Sequence, residues 1–163
     1  MIFLALDYGE RRLGLAISDP GQRIAIALQT LARRTGDARG DVQRILEMAR
    51  ARGVTALVLG VPGGSNASDQ IAMRARRFAA QILEAARGAG LELAFFEADE
   101  RFSSAQAHGE LRALGVSARM SRDEGGAASI DARAAAVFLQ TFLDSRRPEQ
   151  GENLIESLNL DAS

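Results

Sequence analysis

Apolar and polar positions along this chain fall into two alternating periods. Phe3-Leu-Ala-Leu6 runs straight into Asp7 and Gly9, and Leu13-Gly-Leu-Ala-Ile-Ser18 is a second apolar run. The polar link from Tyr8 to Arg12 joins them, which predicts a β-hairpin with Asp7 at its root. Asp19-Pro-Gly-Gln22 reads as a tight turn, and Ile24 to Leu31 alternates as a third strand. Three strands joined by short turns predict an antiparallel meander.

The period then changes. Val42, Ile45, Leu46 and Ala49 recur at helical spacing, so Asp41 to Arg52 predicts a helix that Gly53 closes. Thr55 to Gly60 is a continuous apolar run, the pattern of a strand buried on both faces. The loop Val61 to Asp69 leads into a long helix from Asp69 to Arg87, with Ile71, Ala75, Phe78, Ala79, Ile82 and Leu83 as its stripe. Leu91 to Phe96 is a further strand, running into Glu97-Ala-Asp-Glu-Arg101. Ser103 to Leu114 predicts a helix capped by Ser103 or Ser104, and Gly115 to Gly126 a charged, glycine-rich connection. Ser129 to Leu143 predicts a largely buried helix. The pattern β-β-β-α-β-α-β-α-α predicts an α/β fold: a mixed sheet of three antiparallel strands and then parallel ones, flanked by helices. One domain over 1–145 and a polar tail over 146–163 follow, the tail carrying Leu154, Ile155, Leu158 and Leu160.

Composition narrows the chemistry. There is no cysteine, so disulfides, thiolate nucleophiles and zinc-thiolate sites are excluded. The single histidine, His108, leaves no multi-histidine metal site and little room for a Ser-His-Asp triad. Metal chemistry would therefore use oxygen ligands, which suit Mg²⁺ or Mn²⁺. The apolar run at the start is too short for a membrane span or a signal-peptide core, which predicts a cytoplasmic protein. Net charge is −1, yet all 20 basic residues are arginine, and several cluster locally: Arg11-Arg12, Arg33-Arg34, Arg74 with Arg76-Arg77, and Arg146-Arg147. Arginine offers a planar fork for phosphate, although such clusters also make an ordinary solvated surface.

Carboxylates stand where elements end. Asp7 closes the first strand, Asp99-Glu100 follows the last strand, and Asp131 sits in the first turn of the last long helix. Converging above one sheet edge, three such groups would repel one another unless a divalent cation neutralised them. Two ions held by shared carboxylates are a common device for in-line attack on a phosphodiester. Each residue also has a plainer reading. Asp7 can bond turn amides, Asp131 can complement the helix dipole, and Asp99 or Glu100 can pair with Arg101. Glu97 is a rival to both. The loop Gly60 to Ser68 precedes a helix but lacks the Gly-Lys-Ser/Thr of a Walker A loop, so a plain strand-to-helix turn is the simpler reading.

Four segments resemble the YqgF/RuvX family of pre-16S rRNA nucleases, also described as Holliday-junction resolvase-like. They are Leu4-Ala-Leu-Asp-Tyr-Gly9 continuing through Leu13 to Pro20; Leu57-Val-Leu-Gly-Val-Pro62; Asp99-Glu-Arg-Phe-Ser-Ser-Ala-Gln-Ala107; and Ile130-Asp-Ala-Arg-Ala-Ala-Ala-Val137 with Leu139-Gln140. The resemblance implies an RNase H-like fold, an acidic metal-binding triad of Asp7, Glu100 and Asp131, Mg²⁺ or Mn²⁺ as cofactor, and hydrolysis of a phosphodiester in structured nucleic acid. Under it, Arg11, Arg12, Arg74, Arg77 and Arg101 are candidates for nucleic-acid contact. The chain departs from the family at Gly63-Gly-Ser-Asn-Ala-Ser68, where Ala67 stands in place of a glycine.

Two substrates compete under this reading: an rRNA precursor trimmed at its 5′ end, and branched or single-stranded DNA. Phosphate contacts and shape readout look alike for both. A phosphotransferase of the actin and sugar-kinase type also opens with a strand and Asp-x-Gly, but needs a second domain that 163 residues do not hold. A non-catalytic nucleic-acid-binding protein on the same fold would lack one of the three carboxylates. Symmetric action on two strands would suit a homodimer.

Overall fold

A computed structural model describes residues 1–62, 66–99 and 129–147. Its elements are β1 (Phe3–Tyr8), β2 (Arg12–Ser18), β3 (Ala25–Ala32), α1 (Ala38–Ala51), β4 (Ala56–Val61), α2 (Asn66–Gly88), β5 (Ala94–Asp99) and α3 (Ile130–Ser145). The five strands form one sheet in the order β3-β2-β1-β4-β5. β1 pairs antiparallel with β2, and β2 with β3; β4 runs parallel to both β1 and β5. The mixed sheet is thus the one the sequence pattern predicts.

Strand alternation sends successive side chains to opposite faces, and each face has its own core. Leu4, Leu6, Leu57 and Leu59 pack with Ile45 and Ala49 of α1 and with Ala75, Phe78 and Ile82 of α2. Phe3, Ala5, Ala16, Ala56 and Val58 pack with Ala135, Phe138 and Leu139 of α3. Helices therefore cover both faces. Small side chains on the second face let α3 lie close to the sheet. Phe3, Phe96 and Phe142 fill the far end with rings 5.5–5.8 Å apart, and the Arg146 guanidinium sits 4.8 Å from the Phe96 ring centre.

α3 is fastened to the edge strand β3 at both ends. Near its C-terminus, the Gln140 side-chain amide accepts from the Ala25 N–H at 2.9 Å and donates to the Arg23 carbonyl at 3.0 Å. A side chain here does what a neighbouring strand would do. At its N-terminus, the buried hydroxyls of Ser129 and Thr30 are hydrogen-bonded to each other.

On the other face, Arg33 ties four elements together. Its Nε donates to Asp41 Oδ2 at 2.9 Å, its Nη1 to the Gly9 carbonyl at 3.0 Å, and its backbone N–H to the Arg11 carbonyl at 2.9 Å. The guanidinium lies 4.9 Å from the Tyr8 ring centre and 4.8 Å from that of Phe78. Burial opposes its charge, but hydrogen bonds to Tyr8 and Asp41 outweigh that and hold its pKa above the ordinary value. The hairpin that follows Asp7 is held from below in this way.

Three boundaries differ from the sequence pattern. α1 begins at Ala38, because the Asp37 side chain accepts from the Gly40 N–H at 3.0 Å and caps the helix. α2 begins at Asn66; no glycine or proline follows Gly64 to delay it. β5 runs from Ala94 to Asp99, three residues later than Leu91 to Phe96. Leu91 and Leu93 instead pack against the core from the connection before the strand. The loop residues 63–65, the predicted helix Ser103 to Leu114 with His108, the connection to Gly126 and the tail from Pro148 lie outside the described residues. Among the described residues, no helix is long and apolar enough to cross a membrane.

Candidate active site

Asp7 is the last-but-one residue of β1, flanked by Gly14 on β2 and Gly60 on β4. The register extends this into one row across the sheet: Thr30, Gly14, Asp7, Gly60, Ala98. Asp7 alternates with Phe3 and Ala5, so the row lies on the face that α3 covers. Asp7 is the only acidic residue in that row, and its strand partner on either side is a glycine.

α3 brings Asp131 to the same place. Ser129 is its N-cap; the Ser129 hydroxyl accepts from the Ala132 N–H at 3.4 Å. That cap fixes Asp131 in the first turn. The turn rests on Gly14: a Cβ added there would stand 2.1 Å from the Asp131 carbonyl oxygen and 3.1 Å from its Cβ. The residue beneath Asp131 is therefore the strand partner of Asp7. Any side chain at that position would separate the helix from the sheet, which explains a glycine inside an otherwise apolar strand.

Asp131 Oδ2 accepts from Arg12 Nε at 3.0 Å, with the Asp131 side chain 28% exposed and that of Arg12 57% exposed. Arg12 is thus engaged with a candidate metal ligand. Arg74 pairs with Glu10 on the β1–β2 turn. Arg11 and Arg77 are exposed and form no ion pair among the described residues. Glu100 and Arg101 lie outside the described residues.

The rivals to Glu100 fall on the opposite face. Glu97 pairs in register with Leu59 and Asp99 with Val61, both of which belong to the core under α1 and α2. Glu97 receives both Nε and Nη2 of Arg76, at 2.8 and 3.0 Å, and this bidentate pair raises the Arg76 pKa. Its role is to fasten α2 to the edge strand β5.

Asp7 and Asp131 offer hard carboxylate oxygens, the donors that Mg²⁺ and Mn²⁺ take. Among the described residues, no three acidic, histidine or cysteine side chains gather to hold an ion by themselves. Two donors on adjacent elements fit such an ion as part of a set that needs at least one more. Gly14 and Thr30 are site residues that the sequence reading did not single out; of the two, only Gly14 carried a signal, a glycine inside an apolar run.

The family model described as "RuvX: Holliday junction resolvase" matches residues 1–145. A protein of Anaeromyxobacter dehalogenans named "Putative pre-16S rRNA nuclease" is 43% identical over 145 residues, covering 89% of this chain and 98% of that one. A Synechococcus protein of the same name is 38% identical over 148 residues, covering 88% and 89%. Among solved structures, T. thermophilus RuvC in complex with a Holliday junction substrate matches with a TM-score of 0.56 and 20% identity, over 90% of this chain and 95% of that one. That likeness is one of fold, and it agrees with the RNase H-like architecture. On the match over residues 1–145, the chain belongs to the RuvX family.

Proposed function

We propose that this chain is a metal-dependent nuclease that hydrolyses phosphodiester bonds in structured nucleic acid, with the 5′ end of pre-16S rRNA as its substrate. The observation that carries this is the seating of Asp131 directly on Gly14, the strand partner of Asp7. The names borne by the relatives support the choice of RNA.

In this reading Asp7, Asp131 and Glu100 hold Mg²⁺ or Mn²⁺. A divalent ion so held supplies Lewis-acid stabilisation of charge on the phosphoryl oxygens. Asp7 is immobilised by strand pairing on both sides, so its carboxylate starts from a fixed backbone. Asp131 is oriented by its helix cap and by Arg12. Gly14, beside Asp7, lets the first turn of α3 bring Asp131 close to it. Arg11 and Arg77 are free to bind flanking phosphates, with Arg101 as a further candidate, while Arg12 and Arg74 would first have to leave Asp131 and Glu10.

The family match and α3 both end at residue 145, which supports a nuclease domain over 1–145 followed by a polar tail over 146–163, whose first residue, Arg146, packs against Phe96. Processing of rRNA places the protein in the cytoplasm. A homodimer is the assembly that would suit paired strands, and light scattering on the purified protein tests it.

The decisive assay offers labelled pre-16S 5′-end RNA, single-stranded RNA and DNA, and a four-way DNA junction, each with Mg²⁺, Mn²⁺ or EDTA. Cleavage of the RNA that needs metal and disappears in Asp7→Asn is the expected result. Preference for the junction would move the substrate to branched DNA. Equal activity of Asp7→Asn would refute the assignment of Asp7.

A further inference from the structure

We propose that Thr30 is a positioning residue for Asp131, acting through the Ser129 hydroxyl; this rests on the metal-site reading above. Thr30 and Ser129 are 99 residues apart in sequence, yet their hydroxyls meet where both side chains are buried, each only 7% exposed. Thr30 occupies the same row as Gly14 and Asp7, one strand further out. The pair is therefore a lateral tie from the row that carries one carboxylate to the helix cap that carries the other.

The hydroxyl chemistry lets the tie form alongside the cap. Each hydroxyl has one proton to donate and two lone pairs. Ser129 Oγ already accepts from the Ala132 N–H. Its own proton, or that of Thr30, makes the bond between the two. Without the Thr30 hydroxyl, the cap keeps its bond to Ala132 but loses its hold on the sheet.

Three contacts then define where Asp131 sits. Gly14 lies beneath its backbone, Arg12 grips its carboxylate, and Thr30 anchors the cap two residues before it. Gly14 sets only how closely the turn approaches, and Arg12 is half-exposed. Thr30 is the contact that resists sideways movement. The far end of α3 is held independently by Gln140 on Ala25 and Arg23, so loss of the Thr30 tie leaves the helix attached while its first turn drifts. Groups outside a ligand shell that orient its members commonly change metal affinity or activity by about 10- to 100-fold.

The test compares Thr30→Val, which keeps the shape and removes the hydroxyl, with Thr30→Ser, which restores it. Mn²⁺ binding is read from the loss of the free-ion electron paramagnetic resonance signal, alongside thermal melting. Thr30→Val is expected to weaken Mn²⁺ binding about tenfold, while Thr30→Ser stays within about twofold of wild type. At saturating metal, kcat should fall and the substrate KM should hold. Ser129→Gly, which retains most of the capping preference, should reproduce the Thr30→Val deficit and serves if Thr30→Val does not fold. Wild-type Mn²⁺ affinity in the folded Thr30→Val or Ser129→Gly protein, with weakened binding in Asp131→Asn, overturns the role of Thr30 alone. Wild-type affinity in Asp131→Asn overturns the metal-site reading itself, and this proposal with it.

Discussion

Gly14→Ala is a one-methyl change aimed at the contact that sets the distance between α3 and the sheet. The added Cβ would lie 2.1 Å from the Asp131 carbonyl oxygen and 2.5 Å from its carbonyl carbon. Carbon-to-oxygen contacts settle at about 3.3 Å or more, so the first turn of α3 must rise by roughly 1.2 Å. A misplacement of about 1 Å in a catalytic group can cost about 100-fold in rate, or roughly 2.7 kcal/mol of transition-state stabilisation. Overpacking a well-filled core costs about 1–3 kcal/mol of stability. At about 2–4 °C per kcal/mol for a chain of this size, Tm should fall by roughly 2–12 °C. The assay pairs single-turnover cleavage of the preferred substrate at saturating Mg²⁺ with calorimetry. Gly88→Ala, at the end of α2, is the control: a Cβ there meets nothing within 4 Å. The reasoning fails if Gly14→Ala cleaves at the wild-type rate and melts with the Gly88→Ala protein.

Other outcomes follow from single contacts. Arg12→Ala removes an ion pair with an exposed partner, worth at most about 1 kcal/mol, so melting should barely move. Mn²⁺ should bind Asp131 more tightly once no guanidinium competes for Oδ2, as titration calorimetry would report. Asp41→Ala should cost about 3–5 kcal/mol in urea unfolding, because it strands the largely buried Arg33 without its carboxylate. Asp19 accepts from the backbone N–H groups of Ile24, Arg23 and Gly21, and these bonds, that of Ile24 foremost, lower its pKa below the ordinary 3.8. Its contribution is complete above pH 3.8 and is lost as pH falls towards the lower folded value. The Tm difference between wild type and Asp19→Ala should therefore be constant at neutral pH and shrink in acid.

Periodicity made the sheet legible, since β1, β2 and β4 are runs whose apolar side chains have no alternative to burial. Asp7 stood out because it ends such a run, and Asp131 because it falls in the first turn of the last long helix. β5 was displaced because Leu91 and Leu93 look like strand residues while filling the core from a connection. Glu97, which looks like a strand end, sits inside the strand because Arg76 satisfies it at an edge. The burial of Asp41 and the meeting of Thr30 with Ser129 had no local signal. Both depend on partners brought together only by the tertiary fold.

The double fastening of α3 bears on how the protein comes apart. A helix end ordinarily frays first, exchanging its amide protons with solvent long before the sheet opens. Here the first turn is tied to β3 through Thr30, and the later turns through Gln140. To release Asp131, the protein must also release the β3 edge. The amides of Ala132 and Arg133 should therefore exchange at rates matching those of β3 rather than those of a free helix terminus. Local breathing that would loosen a helix end elsewhere is coupled in this molecule to opening of the sheet itself.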